Sequence, residues 1–380
     1  MHRILCAALS FLVFGLTPVE TVSAQQAGTL ASTDPVREAP AGMRAWRIEY
    51  WTTRQDGVRQ RVTGMVIAPR DAASTPRPII AWTHGTWGVV ERCAPSLSDR
   101  FFTATPALAE MIRRGYVVVA PDYPGLGSSM PHPYLVGGDT ARSVLDAVRA
   151  ARAIPGASPA SRFAVWGESQ GGHAALWTAI EASRYAPELQ LVGTAAAAPP
   201  TDLAANFRSG SDANVRAMLT SFAAYSWSRR FDAPLATIAN RSTRGIMTRL
   251  ARNNCIDLAQ RPRIGTILGV AAVRAAMRDK DLGTISPWRE IMAESSVDPL
   301  IVRGPVLIAQ SGDDPIVASE VTRTFTRALC RSRAPVRWVP LAGGSHATTA
   351  ADSAGPTLDW IAARFAGGAP PNDCASVLGS

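Results

Sequence analysis

The sequence predicts an α/β fold: a mainly parallel sheet interrupted by an inserted helical cap. Three observations carry that expectation. Short apolar runs of strand length alternate with helical segments before residue 200 and again after residue 300. Several of these runs are continuously apolar, as strands covered on both faces are. Between residues 201 and 300 the strand signal fades and helical spacing takes over.

Taken in order, the chain starts with Arg3 ahead of an apolar stretch from Ile4 to Leu16, followed by Val22-Ser23-Ala24. This pattern predicts a signal peptide over residues 1–24, cut after Ala24, in a stretch too short to span a bilayer comfortably. Residues 25–44 read as a loose lead-in. "RAWRIEYWTT" and "VRQRVTGMVIAP" read as two strands around an Asp56-Gly57 turn. "PIIAWTH" and "YVVVAPDYPG" are the next strands, with the helix "ALAEMIRRG" between them, stopped by Gly115. The helix "TARSVLDAVRAARAI", the strand "FAVW" and the strand "LQLVGTAAAAPP" follow. In the cap, "RIGTILGVAAVRAAM" places Ile264, Ile267, Leu268 and Ala271 at helical spacing. The alternation then resumes through "GPVLIAQSGDDPIV", "ASEVTRTFTRALC", "VRWVPLAGGSH" and "GPTLDWIAARFAG". The expected organisation is a core over residues 45–200 and 301–366, a helical cap over 201–300 and a tail over 367–380.

Hydrophobic residues make up 47% of the 380 and charged residues 18%, which fits a folded protein with a sizeable core. The net charge is +9, yet Lys280 is the only lysine, no Arg-rich block appears, and no nucleic-acid motif is visible. Nucleic acid is therefore not an expected partner. Beyond the signal peptide four cysteines remain, Cys93, Cys255, Cys330 and Cys374. An even number in an exported chain suggests two disulfides, and the sequence alone allows three pairings. No C-x-x-C pair is present, and neither a metal nor an organic cofactor is implied.

The chemistry is concentrated in "FAVWGESQGGHAALW", residues 163–177. A lone G-x-S-x-G occurs by chance on the order of once in ten chains of this length. Here Gly167-x-Ser169-x-Gly171 lies between an apolar strand and an apolar helix, the setting in which the serine tips a strained turn. Such a serine needs a base, and the base needs an acid to fix its tautomer. In α/β-hydrolases the order along the chain is Ser, Asp or Glu, His. Of the five histidines, His2 lies in the leader, and His84 and His132 precede the serine. His173 is one turn beyond it, and only His346 lies well after it. His346 falls in a loop after the last strand, where a base is reachable. The acid falls in "SGDDPIV", where Asp314 is favoured over Asp313 because it begins a D-x-x-V pattern; Asp313 suits a turn cap. Asp122 precedes the serine and reads as structural. The oxyanion donors are expected to be the backbone N–H groups of Gln170 and of Thr86 in "HGTWG", with the Thr86 hydroxyl as an added donor.

Together "RAWRIEYWTT", "VTGMVIAP", "AWTHGTWG", "RCAPS", "APDYPGLG" and "WGESQGGHAAL" resemble the secretory lipase family, the fungal lipase-A-like branch of the α/β-hydrolases, which also has bacterial members. The resemblance runs from about Arg44 to Phe365 and does not extend residue by residue over the cap. It implies a secreted or periplasmic ester hydrolase (lipase or esterase) acting on acylglycerols or other lipophilic esters. It also implies Ser169, Asp314 and His346 as catalytic residues and a helical lid inserted before the acid-bearing strand. A transient contact with a lipid interface fits this picture, and no obligate protein partner is implied. A serine peptidase or an acyltransferase on the same fold is the alternative. The resemblance further implies a disulfide from Cys93 into the cap at Cys255, which leaves Cys330 with Cys374. Fungal members often carry a tyrosine where this chain has Glu168. Within the cap, Met218, Phe222, Tyr225, Trp227 and Met247 are the candidates to line an acyl pocket.

Overall fold

The structure, a computed structural model, describes residues 26–256 and 261–379, so the expected leader and its cut after Ala24 lie outside the described residues. The hairpin comes from Gly57, whose φ of 83° turns the chain between β2 (Met43–Thr53) and β3 (Arg59–Pro69). Upstream, residues expected to be loose form a short edge strand, β1 (Leu30–Pro35), antiparallel to β2. The reason sequence patterning misses β1 is physical. Its side chains are mostly exposed, and main-chain hydrogen bonds to the edge of β2 hold it.

The remaining strands are β4 (Arg77–Thr83), β5 (Val117–Pro121), β6 (Pro159–Glu168), β7 (Gln190–Ala197), β8 (Val306–Ser311) and β9 (Val336–Leu341). They form one sheet with β1 to β3, in the order β1-β2-β3-β5-β4-β6-β7-β8-β9. β3 meets β5 antiparallel, and from β5 to β9 every pairing is parallel.

Neighbouring residues on one strand supply opposite cores. Val66, Ala81, Val119 and Val165 face the helices Gly137–Ala151 and Gln170–Tyr185, packing with Val144, Val148 and Ala174. Ile67, Ile80, Val118 and Trp166 face the other side, packing with Met111, Leu358 and Ile361. This two-sided burial is why the strands read as continuous apolar runs.

Between β7 and β8 the chain forms helices Leu203–Ser209, Ala213–Arg230, Arg241–Asn253, Ile264–Ala276 and Trp288–Ser295. They enclose a core of their own that includes Phe222, Trp227, Leu250 and Trp288. The Ile264–Ala276 helix turns the expected apolar face outward. Ile264 is 76% and Leu268 65% exposed, while Val270 and Val273 are buried. Two disulfides brace the molecule. Cys93–Cys255 links the core to the end of a cap helix, and Cys330–Cys374 ties the C-terminal tail, which forms a short helix Cys374–Gly379, to the helix Ser319–Arg331.

Candidate active site

Ser169 sits directly after β6 and directly before the helix Gln170–Tyr185, with φ 54° and ψ −121°. A non-glycine residue there carries strain, on the order of 1–3 kcal/mol, that surrounding structure must hold in place. The restraints are visible. Ser169 N donates to Ala197 O of β7 at 2.8 Å, and Ser169 O accepts from His173 N at 3.0 Å. The flanking glycines leave the space the turn requires. A Cβ on Gly167 would lie 1.9 Å from Thr83 Oγ1.

The parallel strands deliver the other groups to the same edge. Asp314 follows β8, and its Oδ1 accepts from the N–H groups of Ile316 and Val317 at 2.8 and 2.9 Å. Its Oδ2 accepts from Gln310 Nε2 at 3.1 Å and from His346 Nδ1 at 2.7 Å. Burial works to raise the Asp314 pKa, but the His346 hydrogen bond and charge and the two N–H donors outweigh it and hold the carboxyl below its usual range. Because Nδ1 faces the carboxylate, His346 presents the lone pair of Nε2 to Ser169 Oγ, 2.8 Å away. His346 is buried, in a short turn after β9. Asp313 is exposed, and among the described residues no hydrogen bond joins it to His346; its N–H donates to Ser311 Oγ at 3.3 Å.

The two expected oxyanion residues lie beside this relay. Gln170 begins the helix, so its N–H has no intrahelical partner. Gly85 places the strand-end loop against Glu168 O and Ser169 Cβ, which brings Thr86 to the site. Neither the Thr86 nor the Gln170 backbone N–H has a hydrogen-bond acceptor among the described residues. The Thr86 hydroxyl lies 3.0 Å from the Tyr134 hydroxyl, and either can be the donor, so the pair leaves a Thr86 O–H available when Tyr134 donates.

A cavity of about 40 Å³ opens beside Ser169, walled by Leu135, Leu203, Phe207, Leu219 and Ile316 among others. None of Met218, Phe222, Tyr225, Trp227 and Met247 lines it, which corrects the expected acyl pocket. Phe222, Trp227 and Met247 are buried in the cap's own core. Trp227 Nε1 donates to Tyr134 O at 2.7 Å, and Met218 and Tyr225 pack at the margin of that core. Apolar type marks a residue as buried but does not say which helix face meets the site. Of the true lining, Pro315, Ile316 and Val317 were within reach of sequence reasoning, since they follow Asp314 in its loop.

The other titratable neighbours have separate employment. His173 Nε2 donates to Ser295 O at 2.7 Å. Asp122 is buried and accepts from Ser96 N at 2.8 Å, Ser96 Oγ at 2.5 Å and Thr63 Oγ1 at 2.7 Å, as its structural reading expects. Glu168 is partly buried; burial first, then the charges of Asp314 and Asp352, push its carboxyl up to about 8. It is therefore a largely neutral acid near pH 7.

Comparisons with known proteins agree on the fold. Candida antarctica lipase A in its closed state superposes with a TM-score of 0.74 at 19% identity, covering 92% of this chain and 85% of that one. The rice cell wall degrading esterase LipA from Xanthomonas oryzae gives 0.70 at 20% identity, covering 90% and 98%. These likenesses make the fold that of the α/β-hydrolases. Among curated proteins, a Mycobacterium tuberculosis protein named probable inactive lipase is 25% identical over 352 residues, covering 86% of this chain and 75% of its own. Lipase A of Moesziomyces aphidis is 22% identical over 355 residues, covering 88% and 75%. The family model described as secretory lipase matches residues 103–373, most of the described chain and every residue of the relay, so this protein belongs to the secretory lipase family.

Proposed function

We propose that this chain is an exported serine carboxylic-ester hydrolase, of lipase or esterase type, working through an acyl-enzyme. The observation that carries the reading is the relay from Ser169 through His346 to Asp314, at 2.8 and 2.7 Å. Ser169 Oγ attacks the ester carbonyl as its proton passes to His346 Nε2. Asp314, held ionised, orients the imidazole and stabilises the imidazolium. The N–H groups of Thr86 and Gln170 take the oxyanion, each donor worth roughly 3–4 kcal/mol. His346 then protonates the departing alcohol. Water, activated by the same imidazole, attacks the acyl-enzyme and releases the acid.

The apolar wall of the cavity suits the lipophilic part of an ester. The water-accessible space there, about 40 Å³, is small beside a lipophilic ester, and in this proposal the cap shifts to admit one. Two disulfides fit an oxidising compartment, and with the expected leader they support secretion or export to a periplasm.

The name of the mycobacterial relative makes a non-catalytic member the second reading. Hydrolysis of p-nitrophenyl esters from acetate to palmitate, with Ser169→Ala as control, separates the two. Activity lost in the variant supports the hydrolase, and its chain-length optimum divides lipase from plain esterase. A wild-type chain inert on every ester, and unlabelled by a serine-directed phosphonate, would overturn the proposal.

A further inference from the structure

The cap helix Ile264–Ala276 is apolar on both sides, a pattern that ordinarily marks a helix buried all round. Its inner side, with Val270 and Val273, is buried in the cap's own core. Its outer side carries Ile264, Ile267, Leu268, Ala271, Ala272 and Ala275, at the spacing of a single helical stripe. No charged residue falls on that stripe. Ile264, Ile267 and Leu268 are 76%, 53% and 65% exposed. An apolar side chain exposed singly needs no explanation, but three large ones on adjacent turns of one face mark a contact surface.

The charges around this face are almost all of one sign. Between residues 241 and 278 the sequence holds eight arginines and a single acid, Asp257, which lies outside the described residues. Arg261 and Arg263 immediately precede the helix, Arg274 stands in its last turn and Arg278 follows it; all four are exposed. Arg274 Nη1 donates to the neutral amide of Asn214 at 3.1 Å, and none of the four is ion-paired among the described residues. Asp279 and Lys280, next along the chain, offset one another. A second copy of the chain is a poor occupant. A two-fold contact through this face would set arginines against arginines whichever way the helices ran. Thirteen residues are also too few to span a bilayer, so a lipid contact here is interfacial.

From this apolar stripe bracketed by arginines free of ion pairs, we propose that the outer face of the Ile264–Ala276 helix docks the protein on an anionic lipid surface. Ile264, Ile267 and Leu268 enter the boundary between headgroups and acyl chains, while the arginines meet the negative headgroups. A purely zwitterionic surface answers the stripe but not the charge. The docking does not depend on the ester-hydrolase reading, since none of these residues lines the cavity beside Ser169.

The test uses the full chain carrying Ser169→Ala, so that bound lipid is not consumed. Co-sedimentation is measured with vesicles of phosphatidylcholine alone and of equal parts phosphatidylcholine and phosphatidylglycerol. Partition into the mixed vesicles is expected to be stronger by about tenfold or more and to fall as salt is added. Ile264→Gln with Leu268→Gln should lower that binding about tenfold with a melting temperature near the parent's, because both side chains are exposed. Arg261→Gln with Arg263→Gln should remove most of the preference for the mixed vesicles, at roughly fivefold per arginine. Equal binding to the two vesicles, or binding to neither, would overturn the proposal. Undiminished binding in the Ile264 and Leu268 double variant would do the same, by placing the contact elsewhere. A dimer of the parent that this variant dissociates would assign the face to a second copy instead. Since no turnover is read, the ester-hydrolase reading stands or falls separately.

Discussion

Gly171 and Thr83 come so close that a Cβ on the glycine would lie 1.8 Å from the Thr83 carbonyl oxygen and 2.7 Å from that of His84. Thr83 Oγ1 in turn donates to Gly171 O at 2.8 Å. The end of β4 and the start of the helix after Ser169 are thus locked together through backbone. Gly171→Ala should cost about 3 kcal/mol or more and abolish ester hydrolysis, because the clash is with main chain that cannot swing away. Gly312→Ala is the matched control: no atom lies within 4 Å of its Cβ position, so stability should change by less than about 0.5 kcal/mol. Denaturant unfolding of both variants checks the pair.

The neighbouring carboxylates Asp313 and Asp314 are separable by kinetics. Asp314 accepts from His346 Nδ1, while Asp313 does not. Asp314→Asn should lower kcat by about 10⁴-fold, by allowing the wrong imidazole tautomer. Asp313→Asn should leave kcat within a few-fold of the parent. The reverse ranking would reassign the acid.

Acid should destabilise the fold through its buried imidazoles. Burial holds His84 at about 4, His132 at about 3 and His173 at about 4. Each is below the unfolded value of about 6.5, so the unfolded chain takes up the proton first. The stability linked to these groups is complete above pH 6.5 and is lost as pH falls toward 4, at about 1.4 kcal/mol per pH unit for each histidine. The denaturant midpoint should therefore fall steadily from pH 6 to 4.5, with a shallower slope in His173→Gln. Glu168, held up at about 8, acts in the opposite sense, so the deciding comparison is the slope itself: no difference between the parent and His173→Gln would contradict the burial of His173.

The two disulfides should differ in weight. Cys93–Cys255 spans 162 residues and Cys330–Cys374 spans 44. By loop-closure entropy the first restrains the unfolded chain more, up to about 5 kcal/mol against about 4. Cys93→Ser with Cys255→Ser should also loosen the cap, since Cys93 is buried in the core and Cys255 follows a cap helix. Melting temperatures of the two double variants test the order.

Much of the architecture was legible along the chain because it is locally encoded. Strands buried on both faces read as apolar runs, and the cap helices read by their spacing. The elbow announced itself because only glycine fits beside Thr83. The contact of Ser169 with His346 was legible by order: one histidine follows the serine at a strand end. Between Asp313 and Asp314 the sequence could only state a preference, since which of two adjacent side chains turns inward is set by the N–H groups of Ile316 and Val317.

What the sequence determined by itself was therefore the alternation of elements and the chemical parts carried to one edge of the sheet. Tertiary structure alone decided four things: that Leu30–Pro35 pairs as a strand, that Glu168 is a largely neutral acid, that His132 orients Gln170, and that Leu203, Phe207 and Leu219 rather than Phe222 and Trp227 face Ser169. The physical reason is common to all four. Backbone pairing, burial, hydrogen-bond orientation and the facing of a helix depend on neighbours distant in the chain, and no local pattern of residue types records them.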